Sequence, residues 1–314
     1  MLSVLAITVP IYACVAVGQI AVRRGMFSKG DMRVLTTFVF NLSLPCMLFL
    51  AIGTRHLSDI VNPPYLAAYA IGSLLTFAIG WTWGRRAGHS TAGRAFDGLG
   101  MSGCNSGFVG YPLMLLTLPS VAGLVLGLNM LVENLILLPL MFLLAEGRAD
   151  AQLSRAQRLR DYGVRLTRNP LLVGLVAGLI VSVSGIVLPD IVVRTADLFG
   201  RAGAAVALFA VGGLLGGMPR GRILVRVLTV SAGKLLLHPA FVFAVMLALV
   251  ALGLPSLDPQ LRTGLLLTAA LPVFSILPVL AHPYGEAEPM AAVMLVTTAT
   301  SFLTLSVLLA ALEL

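Results

Sequence analysis

The sequence predicts an all-α membrane protein with ten transmembrane helices, arranged as two inverted five-helix repeats in which the fourth helix of each repeat is broken. Three observations lead to this prediction. Long apolar stretches recur along the chain, basic residues concentrate in alternate loops, and glycine or proline interrupts two apolar stretches at matching positions of the two halves.

The composition places the chain in lipid. Of its 314 residues, 58% are apolar and only 11% are charged, whereas soluble domains carry roughly 25% charged residues. A helix needs about 20 apolar residues to cross a bilayer, and short polar breaks separate such stretches throughout the sequence. We predict spans at residues 2–22, 34–54, 64–84, 95–117, 121–145, 169–188, 195–217, 223–252, 261–280 and 289–311.

Lysine and arginine are distributed unevenly between the two faces of the predicted bundle. The loops after spans 1, 3, 5 and 7 hold sixteen of them, and Lys234 lies within a span. The opposite face holds Arg55, Arg194, Arg201 and Arg262. Because basic loops stay in the cytoplasm, we expect an inner-membrane protein with both termini in the periplasm. The net charge of +8 comes from these loops, so it does not indicate a nucleic-acid partner.

The longest polar stretch divides the chain into two equal halves. Residues 1–146 and residues 169–314 each contain five predicted spans, and residues 147–168 form a basic cytoplasmic loop between them. Because five is an odd number, the second half enters the membrane in the opposite sense to the first. Inverted repeats of this kind are common in secondary transporters.

Two spans are interrupted near their middle. Span 4 reads GLGMSGCNSGFVGYPLMLL, and span 9 reads GLLLTAALPVFSILPVLAHPYG. Glycine and proline weaken a helix, and matched breaks indicate a binding site at the membrane midplane. The broken ends expose backbone N–H groups and a positive dipole, which stabilise an anion. The alternative is helix–helix packing by small residues. The residues that we predict to bind substrate are Asn105, Ser106, Gly107, Pro112, Pro272, Ser275, Pro278 and Asn41.

A second group of polar residues lies inside predicted spans, where a charge costs at least roughly 2.5–3.5 kcal/mol. Glu133 and Asn134 are adjacent in span 5, and Lys234 lies one turn before His238 in the long span 8. Lys234 could offset an anionic substrate or pair with Glu133, and Glu133 or His238 could carry a coupling proton. For Lys234 and His238 the alternative is that both side chains extend toward the nearer membrane surface.

The sequence indicates no metal site, cofactor or enzyme. Cys14, Cys46 and Cys104 lie in apolar stretches without the spacing of metal ligands, so we expect packing roles for them. The histidines form no cluster with a carboxylate, and there is no nucleophile motif or phosphate loop. The competing hypotheses are an intramembrane enzyme and a passive channel or sensor subunit. Arg94 and Asp97, at the start of span 4, are expected at the membrane interface.

Four segments resemble the auxin efflux carrier family. They are NLSLPCMLF, GCNSGFVGYPL, KLLLHP and LPVFSILPVLAHPYG, and the resemblance extends over essentially the whole chain. The family includes bacterial transporters described as malonate or other dicarboxylate carriers, and plant PIN-type auxin exporters. The resemblance implies an elevator fold related to bile-acid symporters and sodium–proton antiporters. Spans 1, 2, 6 and 7 would form a dimerising scaffold, and spans 3–5 and 8–10 a mobile transport domain.

The resemblance also implies where the substrate binds. Spans 4 and 9 would cross at the substrate, and in the plant members an asparagine near each crossover holds the carboxylate. Asn105 matches the first asparagine, but span 9 has none, and Ser275 is the nearest polar residue. The proline associated with span 7 of the family is also missing. We therefore expect a secondary transporter of a small organic anion, such as a mono- or dicarboxylate, with a substrate that the sequence does not identify.

Overall fold

The computed structural model describes residues 2–55, 62–145, 163–164, 167–214 and 223–312. Every regular element in these residues is helical, which confirms the predicted all-α class. Most of the predicted 147–168 loop lies outside this part of the chain, as do Arg220 and Arg222 of the basic loop after span 7.

Twelve helices follow one another along the described residues. The first six are α1 (Leu2–Arg23), α2 (Lys29–Gly53), α3 (Pro63–Arg86), α4 (Thr91–Ser102), α5 (106–117) and α6 (Ala122–Ala145). The next six are α7 (Pro170–Ser184), α8 (Asp190–Leu214), α9 (223–251), α10 (Pro259–Ala269), α11 (Leu277–Ala281) and α12 (Ala287–Ala311).

Six of these helices are long and apolar enough to cross a membrane, namely α2, α3, α6, α8, α9 and α12. Each predicted span overlaps one helix, except that spans 4 and 9 each overlap a pair, α4 with α5 and α10 with α11. The helices therefore belong to a multi-pass membrane protein. That the chain crosses the membrane ten times, in two inverted repeats, stays a prediction.

Four helices contain a π turn directly before a proline. In each turn, the residue before the proline donates its N–H to the carbonyl five residues back. The proline ring would collide with the carbonyl four residues back, and the wider turn moves that carbonyl aside. The turns are Val39–Ser43, Ser106–Gly110, Glu133–Leu137 and Gly233–Leu237, before Pro45, Pro112, Pro139 and Pro239. Each turn carries a candidate site residue, respectively Asn41, Ser106, Glu133 and Lys234.

The helices pack in two groups. Helices α1, α2, α7 and α8 pack chiefly on one another, with α1 along α8 and α2 against both α7 and α8. Helix α3 packs on α4 and α9, and α12 packs on α9 and α11. These groups coincide with the spans that the family resemblance assigns to a scaffold and a transport domain, and the functional division remains a prediction.

Helices α1 and α8 approach so closely that only glycine fits at two positions. A Cβ atom on Gly212 would overlap the backbone carbonyl of Val15, and a Cβ atom on Gly18 would overlap that of Phe209. Small residues let membrane helices pack backbone to backbone, which gains dispersion energy and excludes lipid. Helices α1 and α8 therefore pack backbone to backbone at these two positions.

We expect the substitution Gly212→Val to lower the midpoint of thermal unfolding in detergent. Its side chain would force α1 and α8 apart, and such overpacking costs about 1–3 kcal/mol or more. The matched control is Ala202→Val, which adds the same residue at an exposed position of the same helix. Equal unfolding midpoints for the two variants would show that the two helices can move apart without lowering the free energy of unfolding.

An ion cluster joins three parts of the chain near the start of α4. Asp97 is fully buried, and its two carboxylate oxygens lie 2.6 Å from His89 Nδ1 and 2.7 Å from Arg226 Nε. Arg226 also binds Glu286, at 2.7 Å. Asp97 is thus buried within the protein, and its expected place at the membrane interface stays a prediction. A buried carboxylate is tolerated here because Arg226 and His89 bind both of its oxygens. Arg94, which donates from Nε to the carbonyl of His89, is half-buried.

Candidate functional site

The two broken helices meet at their breaks. Residues 103–105 separate α4 from α5, and residues 270–276 separate α10 from α11. The backbone N–H of Asn105 donates to the carbonyl of Pro272 at 2.8 Å. The side-chain amide of Asn105 donates to Ser275 Oγ at 2.5 Å. The structure thus brings together the two interruptions that the sequence identified.

The sequence explains why the first break has this shape. Gly103 ends α4 in an extended conformation, where a Cβ atom would collide with the ring of Phe274. Asn105 then caps α5, because its side-chain oxygen accepts from the N–H of Phe108 at 3.3 Å. The first N–H groups of a helix have no acceptor within the helix. In α5 these belong to Ser106 and Gly107.

A cavity of about 270 Å³ lies against both breaks. Its wall is largely apolar with a few polar groups, as is usual for sites that bind small molecules. Six of the predicted site residues line it, namely Asn105, Ser106, Gly107, Ser275, Glu133 and Asn134. The other lining residues include Phe40, Leu44, Cys104, Phe108, Asn169, Phe274 and Leu280.

The other predicted site residues do not line this cavity. Asn41 has an exposed side chain that donates to the carbonyl of Thr37, in its own helix, at 2.9 Å. Pro272 contributes its carbonyl to Asn105 from behind the cavity wall. The remaining ones outside the lining are Pro112, Pro278, Lys234 and His238.

Glu133 places a carboxyl group in the cavity wall without exposing it to solvent. Its Oε1 accepts from the hydroxyl of Tyr69 at 2.9 Å and from Ser106 Oγ at 2.7 Å. Its Oε2 is buried and has no hydrogen-bond partner among the described residues. A buried polar atom without a partner is costly, so this oxygen is suited to hold a proton or to accept a hydrogen bond from a ligand.

Lys234 lies behind the cavity, fully buried. Its Nζ donates to the carbonyl of Ala269 at 2.8 Å and to Cys104 Sγ at 3.1 Å, and it lies 2.9 Å from His238 Nδ1. Ala269 is the last residue of α10, and a cation is favoured at the C-terminal end of a helix. The predicted pairing with Glu133 is not among its contacts.

His238 is fully buried beside Lys234. Its Nδ1 lies 2.9 Å from Lys234 Nζ and 3.1 Å from the carbonyl oxygen of Ala269, and its Nε2 lies 2.8 Å from Ser73 Oγ. Burial of both Lys234 and His238 contradicts the alternative that they extend to the membrane surface. These two residues support the breaks from within the bundle.

Sequence reasoning missed three residues around the cavity. Cys104, interpreted as a packing residue, contacts Lys234 and lines the cavity. Asn169 donates to the side-chain oxygen of Asn134 at 3.1 Å and caps α7. The Asn-Pro pair at the start of span 6 is a capping signal that could have marked this residue. Tyr69 carries no such signal, since its partner Glu133 lies 64 residues away.

The sequence is similar to known membrane transport proteins. A family model described as "Membrane transport protein" matches residues 3–309. A protein of Rhizobium meliloti (strain 1021), described as "Putative malonate transporter", is 25% identical over 314 residues. The alignment covers 98% of this chain and 96% of that protein.

Proposed function

Because the chain belongs to the membrane transport protein family, which confirms its resemblance to the auxin efflux carriers, we propose that it is a secondary active transporter. Its substrate would be a small organic anion, such as a mono- or dicarboxylate, held where the two broken helices cross. Malonate is the first candidate, because the description of the relative from Rhizobium meliloti reads "Putative malonate transporter".

The observation that carries this proposal is the set of donors at the cavity. The N–H groups at the start of α5 and the positive end of its dipole favour a bound carboxylate. Ser275 Oγ accepts from Asn105, which leaves the serine proton free to donate to a ligand. No lysine or arginine is among the described lining residues. An anion would therefore bind through neutral donors. Because no positively charged side chain holds it there, it can also dissociate.

Glu133 supports a proposal for proton coupling. Its carboxyl group and the bound anion would share one cavity of low dielectric, where two negative charges repel each other strongly. A protonated Glu133 removes this repulsion, so proton and anion would bind together. Ser106 links the two events, because it donates to Glu133 and begins helix α5.

The helix packing supports an elevator mechanism as part of the proposal. Helices α1, α2, α7 and α8 would form a fixed scaffold, through which two copies dimerise in the inner membrane. The other helices would move as a body and carry the cavity between the two faces. The arginine bias favours periplasmic termini. Uptake into proteoliposomes, with and without a proton gradient, separates this carrier from a channel or an intramembrane enzyme.

We expect malonate or a related carboxylate to raise the thermal stability of the detergent-purified protein, and Asn105→Ala to remove about half of this effect or more. A ligand at a hundredfold excess over Kd stabilises the folded state by about 2.7 kcal/mol. Loss of a hydrogen bond to a charged group costs about 1.5–3 kcal/mol, which weakens binding about tenfold or more.

Asn41→Ala is the matched control for this measurement, because it removes the same amide outside the cavity. It should keep the full stabilisation. If a carboxylate stabilises wild type and Asn105→Ala equally, the anion does not bind where the two broken helices cross. If no carboxylate stabilises the wild type, the anion assignment is wrong.

A further inference from the structure

A second cavity lies beside the first. This outer cleft has a volume of about 210 Å³ and lies between α2, α8, α5 and the start of α6, with the Arg201 side chain 78% exposed at its edge. Arg55, Tyr111, Asp197 and Arg201 are among its lining residues. Only four basic residues are predicted on the outer face of the protein, and two of them meet here.

The outer cleft and the first cavity are neighbours. On α2, Leu44 lines the first cavity and Met47, about one turn later, lines the outer cleft. On α5, Gly107 lines the first cavity and Tyr111 lines the outer cleft. Leu44 packs on Gly107, where a Cβ atom would lie 2.8 Å from its Cδ1. This contact separates the two spaces.

Hydrogen-bond donors in the outer cleft remain available. Arg201 Nε binds Asp197 Oδ2 at 2.7 Å, and its two terminal nitrogens have no partner among the described residues. The hydroxyl of Tyr111 likewise has no hydrogen-bond partner in that part of the chain, although the side chain is 6% exposed. Tyr111 interacts electrostatically with both Asp197 and Arg201. Arg55 donates to the carbonyl of Ser120.

Charge distinguishes the two spaces. The described lining of the outer cleft holds two guanidinium groups and one carboxylate, whereas that of the first cavity holds a carboxyl group and neutral donors. A guanidinium with two free terminal N–H groups matches the two oxygens of a carboxylate. Arginines in a cleft also raise the local concentration of an anion and its rate of association.

We propose that the outer cleft is a second anion-binding site, in which Arg201 and Tyr111 hold a carboxylate on its way to or from the first cavity. The inference rests on the proposed function for its place on a transport path. Binding at the cleft itself depends only on the residues that line it.

Protection of a cysteine in the outer cleft tests this proposal directly. Thr54 lines the cleft and is exposed, and Thr54→Cys would be labelled with a neutral thiol reagent in the full-length protein. Peptide mass spectrometry reads the labelling at residue 54 separately from the native cysteines. Malonate is the probe, malonamide is its neutral analogue, and sodium chloride keeps the ionic strength constant.

We expect malonate to slow labelling about tenfold at roughly ten times its Kd, since only about a tenth of the clefts are then empty. Malonamide should give no protection. Arg201→Gln should raise the half-protecting malonate concentration about tenfold or more. Arg194→Gln is the matched control, because Arg194 forms the same type of pair with Asp190, at 2.8 Å, outside the cleft. It should leave protection unchanged.

The same labelling experiment in a protein that also carries Asn105→Ala separates this inference from the proposed function. Protection should persist there, since the cleft binds the anion independently of the first cavity. Protection that disappears with Asn105→Ala would report movement driven from the first cavity and overturn the cleft site. Absence of protection in wild type, or equal protection with Arg201→Gln, would also overturn it, even if the protein transports malonate.

Discussion

Asp97→Asn is expected to destabilise the protein by about 3–5 kcal/mol, the cost of removing one partner from a buried ion pair. Asp97 has no exposed side-chain surface, and Arg226 is only 13% exposed. Without the carboxylate, Arg226 would keep Glu286 and the carbonyl of Gly93 but lose its charged partner in α4. His89 Nδ1 would lose its carboxylate partner. The midpoint of thermal unfolding in detergent should fall by several degrees.

The control for this prediction is Asp190→Asn. Asp190 pairs with Arg194 at 2.8 Å, but both side chains are more than 70% exposed. Exposed pairs contribute about 0–1 kcal/mol, so this variant should unfold close to wild type. If the two variants unfold at the same temperature, burial does not strengthen the Asp97 cluster. The cluster would then not stabilise the packing of α4 on α9.

Glu133→Gln is expected to leave the protein folded and to abolish uptake driven by a proton gradient. Glutamine has nearly the same shape, and its oxygen can accept from Tyr69 and Ser106 as Glu133 Oε1 does. The atom that changes is Oε2, which has no partner in the described residues. Since glutamine remains neutral, binding of the anion should survive, while proton release and uptake should not.

Uptake of labelled malonate into proteoliposomes measures this effect. With Glu133→Gln, the rate under a proton gradient should equal the rate without one. Glu288→Gln removes an exposed carboxylate at the start of α12 and should retain gradient-driven accumulation. If the Glu133→Gln protein still accumulates malonate under a proton gradient, another group carries the coupling proton.

The sequence predicted those features that depend on local chain chemistry. Glycine and proline marked both helix breaks, and the match between the halves suggested that Asn105 and Ser275 lie together, although 170 residues separate them. Hydropathy identified the long apolar helices. The family followed from short motifs and is confirmed by the match over residues 3–309.

Side-chain directions were harder to predict. A π turn places one extra residue in the helical turn, so the residues on either side no longer follow the α-helical period. Asn41 and Lys234 both lie in such turns, and the sequence did not show that one is exposed and the other is buried. Asp97 and Arg226 are 129 residues apart, and no local pattern indicates their contact.

The contact between Leu44 and Gly107 has an electrical consequence. If water fills both spaces, the membrane voltage does not fall evenly over the whole bilayer but mainly across this single layer of side chains. Leu44 and Met47 are three residues apart, which is about 4.5 Å along a helix. A univalent anion that crosses so short a distance would still experience most of the field, worth about 2.3 kcal/mol per 100 mV.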